Sequence, residues 1–96
     1  MHMTQIRRLV LDVLKPREPE MIEFTEEISE MECVDGINSS LIEVDEKVRN
    51  VKVTVEGEID EQKMRDKIED IGASIHSIDE VAAGEKLVEE SKTLQD

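Results

Sequence analysis

An α+β sandwich of order βαββαβ is predicted for this 96-residue chain, and three observations predict it. Val51, Val53 and Val55 alternate with Lys52, Thr54 and Glu56, the period-two pattern of a half-buried strand. Met21, Phe24, Thr25, Ile28 and Met31 recur at helical spacing and so share one helix face. Pro16, Pro19, Gly57 and Gly72 punctuate the chain where one pattern gives way to the next.

The first strand is read as Ile6 to Leu14. Leu9, Leu11 and Val13 lie on one side, and Arg8, Val10, Asp12 and Leu14 on the other. Apolar residues on both sides predict a central position. Lys15-Pro16-Arg17-Glu18-Pro19 breaks the strand. Pro19 suits the first turn of a helix, where its missing N–H has no intrahelical partner to lose. That helix is expected from about Glu20 to Met31, with Glu18, Glu20 and Glu23 favoured by its positive dipole end. Val34-Asp35-Gly36 reads as a turn. The second strand, Ile37 to Val44, is diluted by Asn38, Ser39 and Ser40, which suits an edge. Asp45-Glu46-Lys47 connects it to the third strand, Val48 to Glu56, which Gly57 is expected to end. Asp60 is a good N-cap for a second helix, Glu61 to Ile71, with Met64, Ile68 and Ile71 inward and Gly72 as its stop.

The fourth strand, Gly72 to Val81, carries Ile75, Ile78 and Val81 but also His76, Asp79 and Glu80. Simple alternation puts His76, Ile78 and Glu80 on one face, and Ser77, Asp79 and Val81 on the other. Asp79 and Glu80 then diverge. Ala82-Ala83-Gly84 is expected to interrupt the strand, with Glu85 to Glu90 a short extra strand or helical turn and Ser91 to Asp96 frayed. Residues 1–96 are read as one domain, with a core over about 5–82 and a C-terminal extension over 83–96. Short connections between these elements fit a ferredoxin-like split βαβ sandwich. Its four antiparallel strands lie in the order 4-1-3-2, with both helices on one face. That topology is expected to bring Asp12, Lys15, Glu18 and His76 towards one another.

Twelve basic against 25 acidic side chains give a net charge of −13, which disfavours nucleic acid and anionic membranes as partners. Phe24 is the single aromatic residue, so bases find no stacking platform. Cations are the natural counter-partner of such a surface. Cys33 is the only cysteine, so no intramolecular disulfide forms, which fits the cytoplasm. No apolar run approaches the ~18 residues of a membrane span, and Met1 to Leu14 carries no leader pattern.

No phosphate-binding glycine loop, nucleophile elbow or paired acid–base motif is present, so an enzyme is not expected. Asp12, Glu18 and His76 are the candidate metal ligands. Calcium or magnesium suits such a set, because hard cations take several oxygens. A lone strand histidine more often makes a structural hydrogen bond, and the residue type alone does not decide between the two. Cys33 reads as a partly buried small hydrophobe, with Glu30, Glu32 and Asp35 opposing thiolate formation.

Leu11-Asp12-Val13-Leu14-Lys15-Pro16 with Glu18-Pro19, Gly36-Ile37-Asn38, Val51 to Gly57 and Ser74 to Val81 together resemble an archaeal family known only as domain of unknown function two-eleven. The Lys-Pro-x-Glu-Pro and Ser-Ile-His-Ser-x-Asp-Glu-Val pieces are the distinctive ones, and the likeness spans about residues 6–90. The resemblance implies a ferredoxin-like fold, ring-like homo-oligomers and no established activity. It marks Lys15, Pro16, Pro19, His76, Asp79 and Glu80 as family-motif or interface positions. A more distant likeness to heavy-metal-carrying domains fails at its key point. Those domains place two cysteines after the first strand, and this chain has none there.

The expected function is a non-enzymatic binding or scaffold protein that partners itself as a cyclic homo-oligomer larger than a dimer. The contact is expected at the fourth strand or the segment after Gly84, with Leu14 or Ile78 adding apolar contact from the uncovered sheet face. The second strand is expected to be the better protected edge. The alternative is a small-molecule-sensing module of the amino-acid-binding ferredoxin-like type.

Overall fold

The computed structural model describes residues 5–91. The elements follow the expected order: β1 (Ile6–Pro16), α1 (Met21–Ser29), β2 (Val34–Val44), β3 (Val48–Ile59), α2 (Glu61–Asp70) and β4 (Ser74–Ala83). One four-stranded sheet runs β2-β3-β1-β4, the expected 4-1-3-2 read from the other edge. Each neighbouring pair is antiparallel. The molecule is an α+β protein consistent with the ferredoxin-like arrangement.

The core follows from the alternation along the two central strands. Leu9, Leu11 and Val13 of β1 stand opposite Val55, Val53 and Val51 of β3. Phe24 and Ile28 of α1 and Met64 and Ile68 of α2 close over them in one buried cluster. Both helices therefore cover the same sheet face. Asp60 caps α2 as expected, its side chain accepting a hydrogen bond from Lys63 N–H. Gly72 follows α2 at φ 95°, a conformation that favours glycine. No helix among the described residues is long and apolar enough to cross a membrane.

Several expected boundaries move, each for a local reason. β1 runs on through Lys15 and Pro16, which pair with Arg49 and Val48 at the end of the ladder. α1 starts later than expected. Glu20 is an extended N-cap with ψ 170°, so Pro19 precedes the helix instead of opening it, and the Glu18–Pro19 peptide bond is cis. Val34-Asp35-Gly36 is strand and not turn, because Val34 pairs with Gly57. Gly57 accordingly does not end β3. It sits in the strand at φ 154°, where a Cβ would collide with the Cys33 carbonyl oxygen. Glu58 N–H donates to that same oxygen at 3.0 Å. Glycine is required here by close approach of the α1–β2 connection.

β4 extends through Ala82 and Ala83, and only Gly84 breaks it. The next residues form neither strand nor helical turn up to Ser91; the expected frayed end falls mainly on residues 92–96, outside the described residues. The segment is instead pinned. Gly84 N–H donates to the Gln5 carbonyl at 2.8 Å, and Arg7 Nε donates to the Gly84 carbonyl at 2.6 Å.

Candidate functional site

The outward stripe of β1 organises the sheet face that the helices leave open. Asp12 stands between Lys52 of β3 and Ser77 of β4. Asn50, two residues before Lys52 on the same strand, reaches it, and its Nδ2 donates to Asp12 Oδ1 at 2.8 Å. That bond fixes which way the amide points, because a carboxylate accepts and does not donate. The Asn50 Oδ1 is therefore turned away, buried and without a donor. Asn50 borders a hollow of about 280 Å³ that Asp12, Glu43, Asp45 and His76 also line. Asp45 is already committed. Its Oδ1 accepts from Val48 and Lys47 N–H, both at 2.9 Å, and these bonds hold its pKa below the usual carboxylate range.

His76 reaches this hollow through an irregularity. Asp12 pairs with Ser77 but Val13 pairs with Ile75, so His76 is an extra residue on β4. A second bulge follows, since Leu11 pairs with Ile78 and Val10 with Glu80, leaving Asp79 extra. Bulges bend a strand and re-aim its side chains. Simple alternation therefore fails. Ile78 stands opposite inward-facing Leu11, while Glu80 stands opposite Val10 on the open side. Ile78 is thus not on the uncovered face where it was expected. Ser77 Oγ donates to Asp79 Oδ1 at 2.7 Å. Glu80 turns instead to Arg8, at 3.3 Å.

The four residues expected to approach one another divide between the sheet faces. Asp12 is at an even, outward position of β1 and shares its hollow with His76. Lys15 is at an odd, inward position, and it shares a different hollow with Glu18. The sheet separates the two sets. Among the described residues, no three His, Cys, Asp or Glu side chains come close enough to hold a metal.

Lys15 is 1% exposed, an unusual state for its residue type. It occupies the place where the stripe Leu9, Leu11, Val13 would put its next apolar residue. Its Nζ donates to the Pro16 carbonyl at 2.8 Å and the Pro19 carbonyl at 2.6 Å, so it braces the β1–α1 loop. Burial pushes its pKa below the ordinary value. The Arg49 charge adds to that, while Glu18 and Glu20 oppose it.

At the other end of the open face, three carboxylates converge on one guanidinium. Arg8 contacts Glu56 at 2.6 Å, Glu80 at 3.3 Å and Glu89 at 2.7 Å. A second nitrogen reaches the other Glu89 oxygen at 3.0 Å, making a bidentate pair. The Arg8 hydrogen bond lowers the Glu89 pKa. The C-terminal segment is thereby latched to the sheet.

Arg8, Glu43, Arg49 and Asn50 escaped the sequence reading. Each is a polar residue in an otherwise ordinary strand, and what distinguishes it is its neighbour across the sheet. Of these only Arg49 left a trace, because it continues the inward stripe Val51, Val53 and Val55 of β3. Cys33 is half-buried and packs against the core cluster, as its sequence setting suggested.

The sequence profile of the family described as uncharacterized ArCR, domain of unknown function two-eleven, matches residues 7–96. The chain belongs to that family. An uncharacterized protein of the archaeon Methanocaldococcus jannaschii is 45% identical over 95 residues, covering 98% of each chain. The resemblance carried by the Lys15–Pro19 and Ser74–Val81 pieces is thus a true family relationship, and the family is a conserved archaeal one of unknown function.

Proposed function

We propose that this protein is a non-enzymatic, cytoplasmic scaffold or binding protein that assembles as a cyclic homo-oligomer larger than a dimer and uses divalent cations, calcium or magnesium, held by carboxylates. The cation part rests on the buried Asn50 Oδ1 that has no donor beside Asp12. A buried acceptor without a partner is costly, and a hard cation satisfies it as a donor would. Asp12 lies beside Asn50 and is the first further ligand; His76 and Glu43 border the same hollow but do not converge with Asp12 on one point, so they serve as outer partners through water. Glu18 faces the other hollow, so the shell is completed by oxygens of a neighbouring copy or by water.

Assembly is supported by the two unpaired sheet edges, β2 and β4. The second half of β2 exposes Leu41, Ile42 and Val44 at 50%, 56% and 53%, so it is less protected than its polar first half suggested. β4 exposes Val81 at 54%. An edge-to-edge contact between unlike edges is heterologous and closes into a ring when its rotation permits. Bringing several −13 chains together raises their repulsion, which bound cations relieve.

Native mass spectrometry with ions retained, paired with calcium and magnesium titration calorimetry, tests both parts. A monomer at micromolar concentration ends the ring. Absence of heat, with no change in melting temperature at millimolar cation, ends the cation part.

A sensing role of the amino-acid-binding type is the second reading. It is favoured by the cations Lys15 and Arg49, which stand opposite each other near the start of α1. A thermal response to small organic ligands without any response to cations would reverse the order of the two.

A further inference from the structure

Lys15 of β1 and Arg49 of β3 are direct cross-strand partners. Like charges placed so are destabilising. Here one of the two is buried, where water screens least. This chain has 25 acidic residues from which to supply a counter-charge. It supplies none at contact distance, because among the described residues neither Lys15, Arg49 nor Arg17 forms a salt bridge. Lys15 uses two of its three N–H groups on carbonyls. Arg49 gives one bond to the Asp45 carbonyl at 3.2 Å. Both retain donors.

These three cations border a hollow of about 440 Å³. The start of α1 lines it too. No side chain caps that helix, and its first internal bond runs from Phe24 N–H to the Glu20 carbonyl, which leaves the first-turn N–H groups open. The opposite wall is apolar, formed by Met21, Ile22 and Leu41, and Ile22 and Leu41 are 75% and 50% exposed. Glu18 and Glu20 complete the rim. Their two negative charges oppose a dianion such as phosphate and suit a ligand ammonium.

We propose that this hollow binds a small monocarboxylate of the α-amino acid kind, with the carboxylate between Lys15, Arg17 and Arg49, the ammonium at Glu18 and Glu20, and an apolar side chain against Met21, Ile22 and Leu41. The proposal rests on the sensing reading and adds to it the place and the ligand class. The cross-strand cation pair, unfavourable without a ligand, becomes the reason for tight charge-assisted bonding once a carboxylate enters.

Calorimetry and amide NMR on the full chain, with leucine, glycine and inorganic phosphate as probes, test it. Leucine is expected to bind more tightly than glycine, and to bind about tenfold or more weakly to Arg49→Gln and to Arg17→Gln, the loss of one charged hydrogen bond each. Arg17 lies in an exposed loop, so that variant stays folded even if Arg49→Gln disturbs the β2–β3 turn. Leucine binding that is unchanged in both variants overturns the location while the sensing reading stands. Glycine bound as tightly as leucine overturns the part assigned to the apolar wall. Phosphate bound in preference to leucine overturns the ligand class. No binding of either amino acid overturns this site and its ligand class, while the sensing reading is decided separately by the thermal response to other small organic ligands.

Discussion

The two faces of the β1–β3 ladder treat charge in opposite ways. On the open face Arg8 stands opposite Glu56 and Asp12 opposite Lys52, so each pair joins unlike signs. On the helix-covered face the ladder is apolar through Leu9, Leu11 and Val13 and then ends in Lys15 opposite Arg49, a pair of like sign. Solvent makes errors of sign cheap, yet the exposed pairs are the favourable ones. Burial makes them expensive, yet the unfavourable pair is there. Charge pairing accounts for the first arrangement and not for the second, where Lys15 is held by the Pro16 and Pro19 carbonyls and not by its cross-strand neighbour.

The sharpest way to gauge the covered face is to remove part of it. Leu11→Ala is expected to cost about 3 kcal/mol in urea unfolding, because Leu11 is fully buried between the central strands and the helices. A loss below about 1 kcal/mol would mean that the helix-covered cluster is not the principal core.

The open face should answer more weakly, and to salt. Arg8→Ala leaves Glu56, Glu80 and Glu89 without their shared cation, so the melting temperature falls. Screening should narrow the gap from wild type as ionic strength rises. Acid should narrow it as well. The Glu89 pKa is lowered in the folded chain, so its contribution is present above the ordinary value of 4.5 and lost as pH falls through the lowered one. A gap insensitive to both would show that Arg8 acts through packing alone.

How much of this was legible in the chain depends on which residue pairs with which. The alternating valines gave away β3, and the helical spacing of Phe24 and Ile28 gave away the core. Element order followed, and with it the strand order. Bulges were not legible, because the extra residues His76 and Asp79 carry no mark that separates them from their paired neighbours. They decide what lines the Asp12 hollow, so the candidate site was read only in part. Glu18 was misplaced for a related reason. Sequence proximity to Asp12 hid the fact that Glu18 lies past the end of β1, in the connection to α1, where it borders the hollow of inward-facing Lys15. Gly57 misled in the other direction, since a glycine demanded by close approach looks the same as one that ends a strand.

The covered charge pair can be probed by pH. Burial lowers the Lys15 pKa, so between that lowered value and the ordinary 10.5 the unfolded chain binds the extra proton more readily. Wild-type stability, compared with Lys15→Met, should therefore rise with pH across that alkaline window. A flat difference would indicate that Lys15 titrates normally. The smallest expected effect is also the one of unusual sign. Arg49→Gln should raise stability by about 0.5 kcal/mol by removing the like-charge neighbour. A clear loss would show that its bond to the Asp45 carbonyl outweighs the repulsion.

β1 is an interior strand, hydrogen-bonded to β3 on one side and β4 on the other. It is also the first of the six elements to leave the ribosome, and its partners are encoded some forty and seventy residues later. Until they emerge, Leu9, Leu11 and Val13 have no sheet to join, and the nascent chain carries an apolar strand with two open sides. The central sheet can close only once β4 has emerged, which favours folding of the six elements as one late, cooperative event over growth from β1 onward.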